Sequence, residues 1–391
     1  MANSAIQCTS YGVATESQRG VVNGTDARNL VFGGSALSFR NRVLNGAMMV
    51  DQRNAGAKVT GSVFGMDRFA INQTVPGKLG LQQISNDAPA GFTYSAAITV
   101  EASYSVTASD FYGLIQCIEG YNISDLNWGT ANAATVTLSF WAKASTAGTY
   151  GGALFNETGT RRTYAFTYTI AAANTWEYKT VTIPGCTDGT WNYTNVAGVY
   201  VNFALGIGSN VQTTAGSWQS GAFRGPSGVT QLVGLANGQS LKITGIQFEK
   251  SSVATPFENR PYGVELALCQ RYCYTWVGTD GIDSGSNYTK LGLGFARTST
   301  LCDVIVYLPT MRTAPTFLDS GAATVNLLGS STYGGAVAAI AATNVALEVG
   351  AISSRICVVR YTVASGLIPG QCYIIEQNNA QTKKQLFFAE L

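Results

Sequence analysis

Six tryptophans occur in a chain of 391 residues that has no histidine, and this narrows the chemistry available. Without imidazole the commonest general base and the commonest zinc ligand are missing, so His-dependent triads and His-type zinc sites are excluded. Carboxylates remain, and two of them about 5 to 10 Å apart could hydrolyse a glycosidic bond. Glu101, Asp110, Glu119, Asp125, Glu177 and Asp188 are available, but no local spacing singles out a pair, so no catalytic residue is assigned. "GGSALS" lacks the following Lys and the strand-to-helix context of a phosphate cradle and reads as a turn. The chain does hold aromatic side chains in polar, turn-rich settings. Flat rings cover the C–H faces of sugars, while carboxylate, amide and Arg groups reach the hydroxyls. The candidates are Trp128 in "DLNWGTANA" with Tyr121 and Asp125 beside it, Trp191 and Tyr193 in "DGTWNYTN", Trp218 in "AGSWQSGAFRG", and Trp141. Trp141 is opposite in phase to Phe140, so one of that pair must leave the main core. The competing use of each ring is to cap a sandwich edge.

Such residues need strands and turns to position them, and the composition supplies both. Charged residues are 12% and apolar residues 46%, with 44 Gly, the palette of a β protein rich in turns. In "ATVTLSFWAKAS", Val136, Leu138 and Phe140 point one way and Thr137, Ser139 and Trp141 the other. "RTYAFTYTI" puts Tyr164, Phe166, Tyr168 and Ile170 on one face, and "GVYVNFALG" does the same with Val199, Val201, Phe203 and Leu205. Turn clusters separate the runs and no helical crossovers intervene, which predicts antiparallel strands in a sandwich or jelly roll.

Three parts follow along the chain. Residues 1–40 are polar and small and read as an extended N-terminal arm, residues 41–262 as a jelly-roll β-sandwich, and residues 263–391 as a second, smaller β-sandwich domain. At the seam, "FENRPYGVELALCQRYCY", a Pro-punctuated loop gives way to a short helix or turn leading into a strand. Phe257 and Tyr262 are placed to cover the sandwich's lower end, with Glu258, Asn259 and Arg260 bonding across the junction. As a helix, the run puts Leu266, Cys269 and Cys273 on one stripe, apolar enough to meet its copies around a threefold axis. The eight cysteines are scattered without a C-x-x-C pair and read as mostly reduced, buried small hydrophobes. A net charge of +2 without a basic stripe gives no reason to expect a nucleic-acid partner, and no run is long enough to insert in a membrane. No signal peptide is evident in the first twenty residues.

Several stretches together resemble a recurrent class of bacteriophage tail-fibre and virion-surface proteins. They are "NRVLNGAMMVDQRNAG", "GMDRFAI" with Phe69 where the class has Trp, "LIQCIEGYNISDLNWGTANAATVTLSFWAKAS", "ANTWEYKTVTIPG", "ITGIQFEKSSVATPFENRPYGVELALCQRY", "LPTMRTAPTF" and the final "AEL". The likeness runs in pieces over residues 41–391. "LSFWAKAS" and "TWEYKTVTI" more distantly resemble the carbohydrate-binding jelly rolls appended to glycanases. The resemblance implies a non-enzymatic tail fibre or fibre tip at the virion surface, assembled in the host cytoplasm. It implies a homotrimer that docks another virion protein through residues 1–40 and adheres to host polysaccharide or lipopolysaccharide. Two other roles fit the same module: a head fibre or capsid decoration protein, and a glycan-degrading tailspike enzyme. The class implies no required cofactor, but loop Asp residues could ligate a structural calcium of the kind such modules hold.

Overall fold

Alternation of apolar and polar side chains resolves into two packed sheets and a closed barrel. The computed structural model describes residues 39–276, 288–319, 325–329, 340–378 and 385–391, so all but the last two residues of the arm assigned to 1–40 lie outside the described residues. The first sheet has the order β1 (Val59–Thr60), β4 (Leu79–Ile84), β5 (Ser95–Val100), β15 (Ser240–Glu249), β7 (Val136–Ala144) and β10 (Glu177–Ile183). The second has β13 (Trp218–Ser220), β9 (Arg162–Ile170), β8 (Gly148–Phe155), β11 (Ala197–Ile207), β6 (Phe111–Glu119), β3 (Phe69–Gln73) and β2 (Phe64–Met66). A short parallel pair, β12 (Gln212–Thr213) and β14 (Gly225–Pro226), lies beside them. The inner faces meet in one core that includes Leu138, Phe140, Tyr168, Val201, Phe203, Ile243 and Phe248, the alternate residues that the two-residue period selects. The chain is therefore all-β with a sandwich, as the alternation predicts.

The second β region differs from the expected smaller sandwich. β17 (Tyr288–Ala296), β18 (Leu301–Tyr307), β22 (Ile356–Val363), β21 (Ile340–Ile352), β20 (Val325–Gly329) and β23 (Cys372–Asn378) form a closed barrel, because β17 pairs with β18 on one side and with β23 on the other. Its centre is filled by Val304, Val306, Cys357, Val359, Tyr361 and Ile375. Alternation of period two cannot tell a sheet that closes on itself from one that packs on a partner. A three-stranded sheet, β16 (Cys273–Trp276), β24 (Gln385–Phe388) and β19 (Thr316–Asp319), completes this region.

Between the two regions the seam forms a helix, α1 (Tyr262–Gln270). Cys269 and Cys273 are fully buried, so the predicted stripe packs inward and is not offered to a copy of the chain. Tyr262 is exposed rather than covering the sandwich end, whereas Phe257 packs edge-on against Phe92 at 5.0 Å. The Glu258 carboxylate accepts the backbone N–H groups of Arg40 (3.1 Å) and Asn41 (2.9 Å). Arg260 pairs with Glu258 at 3.1 Å and Glu265 at 3.2 Å and donates to the Asn41 and Val43 carbonyls. Arg53 and Arg68 both pair with Glu390, Arg271 pairs with Glu119 at 2.6 Å, and Arg312 donates to the Asn195, Ala389 and Glu390 carbonyls. Buried charges persist only when paired and hydrogen-bonded, and here the pairing ties the barrel region to the sandwich. The seven described cysteines are free, and six of them are buried. Among the described residues no helix is long and apolar enough to cross a membrane.

Candidate functional site

Four of the predicted ring residues come together, Trp128 and Trp191 buried and Trp218 and Tyr193 half-buried. Trp128 is 1% exposed and Trp191 7%, and their rings meet edge-to-face at 4.8 Å. Trp218 packs on both, at 5.3 and 5.6 Å, and on Tyr164 at 5.4 Å. Each indole N–H finds a carbonyl: Trp128 donates to Ala134 (2.9 Å), Trp191 to Asp188 (3.0 Å) and Trp218 to Pro184 (2.8 Å), while the Tyr193 hydroxyl donates to the Trp128 carbonyl. With its polar atom satisfied by the loop backbone, an indole can be buried at no polar cost. This cluster plugs one end of the sandwich, and Trp128 and Trp191 offer no face to a ligand, a correction to the exposure read from their turn-rich surroundings. Asp125 is engaged as well, held by a two-pronged Arg42 contact at 2.8 and 2.8 Å with Lys250 at 3.6 Å. Tyr121 beside it is 58% exposed.

Trp141 is half-buried and lies on the outer face of a sheet. Phe140 turns into the core and Trp141 out of it, onto the outer face of the six-stranded sheet, where its cross-strand partner on β10 is Tyr178. The two rings lie 5.4 Å apart at 49°, and Tyr178 is 44% exposed. On β15 the residue opposite Trp141 is Thr244. One rung along, Lys143 on β7 faces Lys242 on β15, Ala97 on β5 and Gln82 on β4. Asp87, in the β4–β5 connection, closes over this rung. Its carboxylate accepts Lys143 at 3.0 Å on each oxygen, Lys242 at 2.5 Å and the Trp176 indole N–H at 3.0 Å. Partial burial opposes ionisation, but the bonds from Lys242, Lys143 and Trp176 outweigh it and lower the carboxyl from 3.8 to about 2. An open pocket of about 450 Å³ adjoins, lined by Gln82, Gln83, Asn86 and Tyr94 among others. Four strands at the usual spacing give this rung a length of about 14 Å.

Tyr178, Trp176, Asp87, Lys143, Lys242 and Gln82 were not among the predicted site residues. The phase of Tyr178 in "TWEYKTVTI" signals an outward ring, whereas Asp87 is 155 residues from Lys242 and carries no local signal. The acids considered for hydrolysis all have partners: Lys58 for Glu101, Thr107 and Tyr104 for Asp110, Arg271 for Glu119, Arg42 for Asp125, Lys179 for Glu177 and Arg162 for Asp188. Among the described residues no three acid or cysteine side chains gather as a metal site. Guanidinium groups pair with Asp125 and Asp188.

Fold and surface together describe an all-β protein that displays aromatic, amide and charged groups on an open sheet face. No family model matches the chain, and no curated protein does. Among solved structures it is similar to the enzymatically active domain of bacteriophage CBA120 tailspike protein 4, at 14% identity and a TM-score of 0.30, over 54% of this chain and 21% of that one. It is also similar to a xylan-binding domain from Paenibacillus barcinonensis, at 8% identity and a TM-score of 0.27, over 52% of this chain and 99% of that one. A third is TmCBM61 in complex with β-1,4-galactotriose, at 10% identity and a TM-score of 0.27, over 54% of this chain and 99% of that one.

Proposed function

We propose that this protein binds polysaccharide on the outer face of its six-stranded sheet without cleaving it, and serves at a phage virion surface as a tail fibre or fibre tip that adheres to host polysaccharide or lipopolysaccharide. The observation that carries the binding reading is the Trp141–Tyr178 pair, a half-buried indole beside an exposed phenol among amide and charged groups. The virion role is supported by the ordered motifs that resemble phage fibre proteins. Replacing either ring with Ala removes stacking area, and about a tenfold loss of affinity corresponds to about 1.4 kcal/mol. Screening the purified protein on a glycan array, then titrating Trp141→Ala and Tyr178→Ala against the best ligand, tests this; unchanged affinity in both would remove the site. Release of reducing ends from host polysaccharide would instead support the tailspike-enzyme reading, and imaging labelled virions separates a tail position from a capsid one.

Self-association completes the proposal. Leu293, Phe295, Ile305, Tyr307 and Ile356 are exposed on neighbouring strands β17, β18 and β22 as an apolar wall. Asp303 and its partners Arg297 and Arg360 border the wall with both signs of charge, a mixture that suits a second copy of the same surface. A homotrimer joined here would bind by avidity although each copy holds sugar at an affinity on the order of millimolar. Sedimentation of Ile305→Asp, expected monomeric against an oligomeric parent, tests the surface; a monomeric parent at micromolar concentration would end this part.

A further inference from the structure

Lys143 and Lys242 are direct partners across adjacent strands of the proposed glycan surface. Like charges placed opposite one another destabilise a sheet, so the pair needs a reason and a counter-charge. Asp87 is the counter-charge, but it is a single carboxylate against two ammonium groups, which leaves the cluster at +1. The hydrogen-bond inventory is unequal in the same sense. A carboxylate has about four lone-pair sites, and Asp87 takes four contacts: two from Lys143, one from Lys242 and one from Trp176. An ammonium has three donors, so among the described residues Lys143 keeps one and Lys242 two that no protein atom uses. The lysine side chains are 20% and 24% exposed, so their stems are packed while their heads remain within reach of a ligand. Lys179 and Glu177 on β10 pair with each other and Lys58 with Glu101, so neither pair cancels the surplus.

We propose that the Lys143–Lys242 pair is an anion-reading subsite of this surface, selecting saccharides that carry a carboxylate or phosphate group. The two heads form a fixed fork, held from one side by Asp87, and the spare donors converge on acceptor oxygens arriving from solvent. Trp141, two residues from Lys143 and on the same face, would place a sugar ring beside the charged substituent. A neutral chain would find the stacking surface but leave these donors to water. Charge-assisted bonds are about twice as strong as neutral ones, which makes the pair a selector for acidic chains.

This inference rests on the reading of the face as a glycan surface, and the test separates the two. Isothermal titration would compare tetragalacturonate, its methyl ester and a phosphorylated oligomannose with the intact protein at low salt. We expect at least one anionic probe to bind about tenfold tighter than the ester, the tighter of the two identifying the anion chemistry. Lys143→Gln and Lys242→Gln should each bring the acid-to-ester ratio towards one, and Lys143→Arg should keep it. Asp87→Asn should raise affinity for the anionic probe severalfold, an effect that a merely structural ion-pair triad does not produce. Thermal unfolding of each variant identifies any that fails to fold, and the Arg and Asn variants keep the test alive if a Gln variant does. Binding of both anionic probes no tighter than the ester would overturn the anion assignment and leave the glycan surface standing, whereas binding of no saccharide in a wider array would overturn the surface itself.

Discussion

Trp128 and Tyr178 show that aromatic rings do opposite work depending on whether they point into the core or out of the sheet. Trp128 is enclosed by Trp191, Trp218 and Phe248, so Trp128→Ala opens a cavity and should cost about 3–5 kcal/mol in urea unfolding. Tyr178→Ala touches the open face and should change stability by no more than about 0.5 kcal/mol while weakening glycan binding. Asp67 gives a pH signature. Burial dominates and raises its carboxyl from 3.8 to about 6, against the pull of Arg53 and of the Gln52 bonds. The folded state therefore holds a proton there that the unfolded chain has already lost, so Asp67 makes stability fall as pH rises from about 4 to about 6. Urea midpoints of wild type and Asp67→Asn across pH 4–7 should converge at the acid end and diverge in favour of Asn towards neutrality; parallel curves would refute this.

Among the elements, β15 positions half of the lysine fork, and its bulge sets how. The register with β7 shifts between Thr244 and Gln247, and Gly245 in the shift has φ 63°. A Cβ at Gly245 would lie 2.6 Å from the Phe92 ring, so neither the backbone nor the space suits a larger residue. Gly245→Ala should cost about 1–3 kcal/mol in thermal unfolding, and should weaken saccharide binding if the strand moves. The β7 segment was legible in sequence because its alternation is strict. Its pairing with β10 and β15 was not, because neighbours in a sheet are chosen by contacts across the whole fold rather than by the strand's own pattern.

Across the whole molecule, the motifs that carry the resemblance divide between two places: "LSFWAKAS" and "TWEYKTVTI" supply Trp141, Lys143, Trp176 and Tyr178 to the outer sheet face, and the others meet at the seam. Asn41, Asn45 and Arg68 from "NRVLNG" and "GMDRF" meet Glu258, Arg260 and Glu265 from the "FENRPYGVE" segment and Glu390 from "AEL". These residues fix how the chain passes from sandwich to barrel, while Trp141, Tyr178 and the lysine pair lie on the outer sheet face. Glu390→Ala leaves Arg53 and Arg68 without this carboxylate in a buried setting and should cost about 3–5 kcal/mol. Calorimetry should then show the barrel region melting ahead of the sandwich; a single unshifted transition would mean that the clamp contributes nothing to coupling.

The sequence by itself determined the all-β class, the faces of the main strands and the opposite phases of Phe140 and Trp141. Each is written locally, in a two-residue side-chain period and in the placement of Gly, Pro and turn residues. Only the tertiary structure decided that the second region closes into a barrel, that the loop tryptophans turn inward, and that Asp87 bridges Lys143 and Lys242. Those outcomes depend on which distant backbone carbonyl satisfies an indole and which strand lies beside which. Both are settled by burial and hydrogen bonding between segments far apart in the chain, where no local spacing carries a signal.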